Sequence, residues 1–363
     1  MKTFSIIFLF TSLVLNLLNA DSIKELPKTE NKKHLLTVFV HGTILPFPSI
    51  SILSKTINNK NKEKSGYQKY QLELRKNKIY KDQPIGELGL NKINIDNFDI
   101  KKFNKKNESS SKIISQIHKD LYKKQLNQKY NKCSFYTFGW DGRLSKRHRK
   151  QWSEKFYDEL INEIKNLKNI EINIIAHSHG GNVALNLAEI EKSKKQNLKI
   201  NKLILFGTPI QSETSKLIDS ALFTKIYNIF SSGDGIQTID TVSTKDFFSK
   251  RKFENKKKEN YTLPQKLKQI EIKVCNKKPT HCELWLFGWT KIPTYRKSFP
   301  INPLPLAAFS PLIIDFAENK AQNAQDINLS INKQNKSKKN EFTFLSKIEN
   351  KDIIQKYEIT TLI

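Results

Sequence analysis

The sequence lacks several features that would place it in familiar classes of protein. Beyond its first twenty residues, no segment is long and apolar enough to cross a bilayer, so no later transmembrane helix is expected. It has only three cysteines, Cys133, Cys275 and Cys282, and none directly follows the apolar N-terminal stretch, which argues against a bacterial lipoprotein. The chain has no internal repeat, which argues against a repeat architecture.

Acidic residues are also scarce. The chain has 35 Asp and Glu against 63 Lys and Arg, a net charge of +28. Such a charge suits binding to nucleic acid or to an anionic membrane surface. The lysines are spread among asparagine and isoleucine, as in Asn58–Lys64 and Asn255–Asn260, so most are expected on solvated faces. We therefore expect no nucleic-acid partner and keep an anionic membrane surface as a candidate partner.

The first twenty residues, MKTFSIIFLFTSLVLNLLNA, are typical of a secretory signal peptide. Lys2 precedes an apolar stretch, Ile6 to Leu18, that is too short for a comfortable membrane span. Cleavage is expected after Ala20, although Leu18 is larger than the residue preferred there, which leaves an uncleaved anchor open. We expect an exported protein, periplasmic or secreted, with a soluble mature chain.

The following sequence alternates short apolar runs with helical patterns. Strands are predicted at 35–40, 133–138, 170–175, 202–206, 225–230 and 270–274, and helices at 111–122, 149–167, 181–191 and 312–318. This alternation predicts one α/β domain over 21–318, with a mostly parallel central sheet and helices on both faces. The polar segment 44–107 is predicted to be a long insertion, and 319–363 a low-complexity polar tail.

Ser178 lies between a predicted strand, 170–175, and a predicted helix, 181–191. A serine hydroxyl is a poor nucleophile until a base takes its proton, and a tight strand-to-helix turn holds the oxygen away from its own backbone. Because that turn is crowded, the residues two before and two after it must be small. Here those residues are Ala176 and Gly180. The pattern predicts a catalytic serine.

In this context Ala176-His177-Ser178-His179-Gly180 resembles the nucleophile elbow of the α/β-hydrolase superfamily, in particular its lipases and esterases. The usual first glycine is alanine here, as in some lipases. His41-Gly42-Thr43 looks like the lipase oxyanion-hole motif, and Phe206-Gly207-Thr208-Pro209 resembles a Gly-Thr-Pro found after the next strand in many lipases. The resemblance covers about Leu35 to Asp234 and, more loosely, Ile270 to Leu284. It implies the α/β-hydrolase fold.

The resemblance also implies a catalytic triad ordered serine, acid, histidine along the chain. Only His179 and His281 follow Ser178, and the His179 side chain is expected to point away from the serine oxygen. His281 is therefore the expected base. Asp234, in a turn after the preceding strand, is the expected acid, and Asp240 is the fallback.

The oxyanion hole implied by the resemblance uses the backbone N–H groups of Thr43 and His179. Losing one such donor typically costs roughly 3 kcal/mol of transition-state stabilisation. His41, Gly42 and Gly180 are expected to support these donors. The chemistry needs no metal or organic cofactor.

Other histidines and the cysteines are assigned by context. His177 and His179 form an H-x-H pair without a further ligand cluster nearby, so no metal site is expected, and His177 is predicted to pack beneath the turn. His34, His118 and His148 have no motif context and are predicted at the surface. The cysteines allow two arrangements, a Cys275–Cys282 disulfide that holds the segment before His281, or three buried thiols.

The resulting hypothesis is a secreted serine hydrolase that cleaves carboxylic esters, a lipase or esterase. An apolar stretch at the start of the insertion, Ile44 to Leu53, would either form a lid that meets lipid or pack on the core. The lid and the basic charge motivate a phospholipid or other anionic-lipid substrate. Two alternatives stay open: a catalytically inactive module that binds polyanions or membrane surfaces, and a thioesterase or amidase on the same fold.

Overall fold

The computed structural model describes residues 33–44, 73, 75–76, 78–102, 109–124, 126, 130–238, 248–256, 259–289, 295–334 and 341–359. Three predictions lie outside these ranges: the signal peptide, nearly all of the apolar stretch from Ile44 to Leu53, and the fallback acid Asp240. Within them, no helix has the length and apolar character that a membrane span requires.

Ten strands form one sheet in the described part of the chain, in the order β10-β9-β8-β7-β6-β5-β4-β1-β3-β2. The strands are β1 (Lys33–Val40), β2 (Gly89–Ile93), β3 (Tyr130–Gly139), β4 (Ile170–His177), β5 (Ile200–Phe206), β6 (Phe223–Phe230), β7 (Leu267–Val274), β8 (Asp326–Lys333), β9 (Glu341–Ile348) and β10 (Lys351–Glu358). All pairs from β3 across to β8 are parallel, whereas β2, β9 and β10 pair antiparallel at the two sides. The prediction of a mostly parallel sheet is confirmed.

Helices cover both faces of this sheet. They are α1 (Lys78–Lys81), α2 (Ser110–Lys124), α3 (Lys146–Ile164), α4 (His179–Lys194), α5 (Ser212–Ser215), α6 (His281–Trp285) and α7 (Ser310–Asn319). In β1, Val38 belongs to the core beneath α3 and α4, while Phe39 belongs to the core beneath α2 and α7. Neighbouring strand residues face opposite sides, so a continuous apolar run such as β1 is expected where both faces are buried.

The prediction of a low-complexity tail over 319–363 is wrong for most of that segment, because β8, β9 and β10 extend the sheet there. Alternate side chains of β8 and β9 enter the core: Ile327, Leu329, Ile331, Phe342 and Phe344. The intervening residues are mostly polar. A period of two therefore places an apolar face on a segment whose overall composition is polar.

The insertion 44–107 contributes to both the sheet and the core of the domain. Its β2 pairs antiparallel with β3, and Ile93 and Ile95 join the core. Arg75 in the same segment is buried, with 8% of its surface exposed. The insertion therefore supplies both a strand and a buried cation to the fold.

Candidate active site

Ser178 sits at the junction of β4 and α4, where the backbone takes an unusual conformation. Its φ of 52° and ψ of −132° place it in a region that non-glycine residues rarely adopt. The Ser178 N–H donates to the Phe206 carbonyl at 2.9 Å, and the Ser178 carbonyl accepts from the Gly181 N–H at 2.9 Å. The neighbouring strand and the first turn of α4 thus hold the strained residue in place.

The loop after β1 packs directly against this turn. A Cβ added to Gly42 would lie 2.7 Å from the Ser178 Cβ, and one added to Gly180 would lie 2.3 Å from the His41 carbonyl oxygen. Only glycine allows both backbones to approach so closely. The segment His41–Thr43 and the serine turn therefore meet at the carboxyl edge of the sheet.

Asp234 and His281 meet at the same edge. The His281 Nδ1 lies 2.7 Å from the Asp234 Oδ2, and the aspartate side chain is fully buried. The other carboxylate oxygen accepts from the Gln237 backbone N–H at 3.0 Å, and Arg251 donates to the Asp234 backbone carbonyl at 3.0 and 2.7 Å. Because an ionised carboxylate only accepts hydrogen bonds, His281 donates through Nδ1, which leaves Nε2 for another group.

The loop that carries His281 is fixed by an ion pair and a helix cap. Thr280 and Glu283 form a capping box at the start of α6, and Arg296 donates to the buried Glu283 carboxylate at 2.7 and 2.5 Å. Cys275 and Cys282 are free, partly buried thiols in the structure. These polar contacts, rather than a disulfide, hold the loop.

His177, the residue before the serine, stacks against the His281 loop. Its ring centroid lies 4.4 Å from that of His281 and 5.3 Å from that of Trp285. Its Nε2 lies 3.2 Å from the His281 carbonyl oxygen, which can only accept, so Nε2 carries the proton. Burial, reinforced by the nearby His281, holds the pKa of His177 well below 6.5. His177 is therefore neutral and buried beside the turn.

His41 orders the loop after β1. Its Nε2 lies 3.2 Å from two donors, the Trp140 backbone N–H and the Arg75 Nη2. Nε2 is therefore the acceptor, and the protonated Nδ1 donates to the Gly42 carbonyl at 2.6 Å. Burial, followed by the adjacent Arg75, holds the pKa of His41 well below 6.5. Because the peptide is planar and trans, a Gly42 carbonyl turned toward His41 directs the Thr43 N–H the opposite way.

Arg75 is a buried cation beside His41 that no sequence motif marks. It donates to the Gly86 carbonyl at 2.6 Å and to the Trp140 carbonyl, in addition to His41. Burial lowers the pKa of Arg75 to about 10, against an opposing effect of Asp141, so it stays charged at neutral pH. No motif surrounds this residue. Only its contacts across the fold connect it with His41.

The two residues that the sequence predicts as oxyanion donors, His179 and Thr43, lie next to the serine turn. His179 is the first residue of α4 and is buried. Thr43 directly follows Gly42, which touches the serine turn. The positive end of the α4 dipole also lies here and favours developing negative charge.

The surface prediction for three other histidines is wrong for His118. It is fully buried, with its Nε2 3.0 Å from the Ala307 carbonyl, and burial lowers its pKa to about 4. The helical spacing could have shown this, because His118 falls on the same stripe of α2 as Ile114 and Leu121. His34 and His148 are partly buried. In the described ranges, no group of three or more His, Cys, Asp or Glu could hold a metal ion.

Comparison with known proteins agrees with this architecture. The family model described as the PGAP1-like alpha/beta domain matches residues 103–252, a stretch that includes Ser178 and Asp234. With the fold, this match supports assignment to the α/β-hydrolase superfamily and a hydrolase type of function. No curated protein matched the chain, and no solved structure matched it.

Proposed function

We propose that this protein is a serine hydrolase that cleaves carboxylic esters, with Ser178 as nucleophile, His281 as base and Asp234 as the orienting acid. The observation that carries the proposal is the 2.7 Å contact between His281 and a fully buried Asp234, at the same edge as a serine in a strained turn. Strained backbone at a polar site is a common mark of a functional residue.

In this mechanism the Ser178 oxygen attacks the ester carbonyl while the His281 Nε2 takes its proton. The histidine then donates that proton to the leaving alcohol, which gives an acyl-enzyme. A water molecule activated by the same nitrogen cleaves the acyl-enzyme. Asp234 holds His281 in the tautomer with Nδ1 protonated and stabilises the imidazolium form.

The backbone N–H groups of Thr43 and His179 would bind the oxyanion that forms in each step. Their support is the close packing of Gly42 on the serine turn and the orientation of the Gly42 carbonyl by His41. Each donor is worth roughly 3 kcal/mol when it is already in position. Because His177 is neutral, the imidazolium of His281 meets no like charge from the ring that stacks on it.

We further propose an exported protein that acts on ester or lipid substrates, with phospholipids among the candidates. The apolar N-terminal stretch supports export, and the net charge of +28 supports anionic substrates. A panel of ester, thioester and amide substrates of matched acyl group checks the bond type. Fastest turnover of the thioester or the amide would contradict the ester assignment.

A fluorophosphonate probe with peptide mapping tests the reaction class. We expect covalent labelling at Ser178, abolished in Ser178→Ala and strongly reduced in His281→Ala. Ser193→Ala on α4 and His34→Ala at the far end of β1 are matched controls that should retain labelling. Labelling at a different serine, or equal labelling in His281→Ala, would refute the proposed triad.

A further inference from the structure

The start of α3 concentrates positive charge beside the candidate site. Eight consecutive residues from 143 to 150 include five cations: Arg143, Lys146, Arg147, Arg149 and Lys150. The first turn of α3 contains no acidic residue. A helix N-terminus already carries partial positive charge, so cations there are electrostatically unfavourable unless an anion approaches.

Two of the exposed cations in this run have no carboxylate partner within the described ranges. Lys146 and Arg147 are exposed, and no ion pair joins either of them to another described residue. By contrast, Arg143 lies 3.5 Å from Asp141, and Lys150 lies 2.7 Å from Glu189. Lys146 and Arg147, which we call the α3 cation pair, are therefore available to an external anion.

The α3 cation pair lies at the same edge of the sheet as Ser178. A Cβ on Gly142, at the end of the preceding loop, would lie 2.6 Å from the backbone nitrogen of Ile44, which directly follows Thr43. Further along α3, the Ser153 hydroxyl donates to the Val183 carbonyl of α4, the helix that begins after Ser178. The start of α3 is thus positioned by contacts with both the loop after β1, which contains Thr43, and α4, the helix that begins after Ser178.

Two exposed apolar side chains lie on the opposite flank of the site. Ile236 is 48% exposed and Phe248 is 60% exposed. Both belong to loops beyond the carboxyl end of β6, where the Ser249 hydroxyl donates to the Gln237 carbonyl at 2.6 Å. Because this hydrogen bond joins the residues next to Phe248 and Ile236, the two exposed apolar side chains belong to one part of the surface.

Ser178 lies midway between these two flanks. In the strand order, β6 and β3 are each two strands from β4, which is roughly 10 Å on either side. One flank carries the α3 cation pair and the other carries the two exposed apolar side chains, each beyond the end of a strand, and these two strands lie about 19 Å apart in the sheet. A lipid bilayer offers anionic headgroups and an apolar boundary on one surface, whereas a nucleic acid offers no apolar layer for an aliphatic side chain such as Ile236.

We propose that this edge docks on an anionic lipid bilayer, with the α3 cation pair on the headgroups and with Ile236 and Phe248 in the interfacial layer. The inference rests on the proposed function for its meaning, since docking would bring lipid esters to Ser178. Its test does not require turnover. Each lysine or arginine at an anionic surface contributes about fivefold in binding, so loss of both cations should weaken binding about 30-fold.

The experiment measures co-sedimentation of full-length Ser178→Ala protein with vesicles of phosphatidylcholine, alone or mixed with phosphatidylserine. We compare Ser178→Ala protein that has no surface substitution with the same protein carrying either Lys146→Gln/Arg147→Gln or Lys165→Gln/Lys168→Gln. The last pair is exposed at the other end of α3, roughly 30 Å away, and changes the net charge equally. We expect about a 30-fold loss on mixed vesicles for the first double variant only.

A Phe248→Ser variant should weaken binding to both vesicle types, because apolar insertion does not depend on lipid charge. Equal binding by the two double variants, or no preference of the unmodified surface for phosphatidylserine, would overturn the proposal. Binding of single-stranded DNA that depends on the α3 cation pair, without vesicle binding, would overturn it in favour of a nucleic-acid partner.

Turnover of a short soluble ester separates docking from catalysis. With Ser178 intact, Lys146→Gln/Arg147→Gln should hydrolyse that ester at the normal rate, and a loss there would contradict a pure docking role. If the protein hydrolyses no ester but its vesicle binding follows the α3 cation pair, docking stands and the proposed function fails. The two failures are therefore distinguishable.

Discussion

Polar side chains lie at both ends of the central strands, but the hydrogen bonds that they make differ between the two ends. At the amino end, the Glu171 carboxylate accepts from Lys33, Tyr130 and Asn201 at 2.7, 2.7 and 3.0 Å. At the carboxyl end, the His281 Nδ1 lies 2.7 Å from the Asp234 Oδ2, so this contact uses one of the two ring nitrogens. A carboxylate with several donors is satisfied without a ligand, whereas the second nitrogen of the histidine can still bind another group.

A second carboxylate repeats the amino-end pattern. Glu318 accepts from Lys202, Lys225 and Tyr227 at 2.8, 3.0 and 2.5 Å. Burial raises the pKa of Glu318, but the charge of Lys202, followed by the hydrogen bonds from Lys202, Tyr227 and Lys225, outweighs it and holds that pKa below its usual value. The comparison teaches that the amino-end carboxylates are enclosed by donors from several strands, while the carboxyl-end contacts have the orientation that the proposed chemistry requires.

Asp234→Asn should give the largest effect. Asparagine can present an N–H where the carboxylate accepted, which favours the wrong His281 tautomer, and we expect kcat to fall about 10⁴-fold with the fold intact. Asp219→Asn is the matched control, since its partner is the Tyr261 hydroxyl away from the site. Ester kinetics with thermal unfolding check both. A change below tenfold would show that Asp234 does not orient the base.

Arg75→Met should come next, because it removes a donor to His41 and to the Trp140 carbonyl. The segment His41–Thr43 would then be held less rigidly, which should lower kcat about 10²-fold, with a smaller change in KM. Arg75→Lys keeps the charge without the forked donors, so its kcat should lie between that of the unmodified protein and that of Arg75→Met. Kinetics on a soluble ester supply the measurement. A rise in KM alone, at normal kcat, would place Arg75 in substrate binding instead.

Acid should destabilise the carboxyl end, where the pKa values of His41 and His177 lie well below 6.5, more than the amino end, where burial and nearby lysines lower the pKa of His34. His41 and His177 are held neutral in the fold, but in the unfolded chain each binds a proton below about pH 6.5. Stability should therefore fall as the pH drops below 6.5, by up to about 1.4 kcal/mol per pH unit for each histidine. The pKa of Glu318 is lowered, so its contribution persists until the pH falls below 4.5.

Urea unfolding between these pH values provides the measurement, with His177→Phe as the informative variant. Phenylalanine keeps a flat ring beside Trp285 but cannot take a proton, so the loss of stability with falling pH should be shallower. An unchanged slope in His177→Phe would contradict the assignment. Amide exchange should show the segment around Ser178 opening before the segment around Glu318.

Glu318→Gln should give the smallest effect and should act on stability alone. Exposed and partly exposed ion pairs contribute little, so we expect the free energy of unfolding to fall by about 1 kcal/mol with ester turnover unchanged. Glu349→Gln, in the exposed turn between β9 and β10, is the control and should be neutral. A tenfold loss of turnover in Glu318→Gln would mean that the two ends of the sheet are coupled.

Much of this architecture could be predicted because its signals are local. The alternation of strands and helices follows from hydrophobic periodicity, and the Ser178 turn follows from the small residues that its crowding demands. The C-terminal strands β8 to β10 do not show in the composition, because their segment is polar overall and only alternate residues are apolar. The burial of His118 follows from its position on α2, which motif context does not record.

The sequence by itself determined the class of fold, since periodicity and turn sterics act over a few residues at a time. Only the tertiary structure decided which distant groups meet. Arg75 contacts His41, and His177 stacks on His281, across separations that no local pattern records. Such contacts depend on strand order and on burial, which arise only when the whole sheet has assembled.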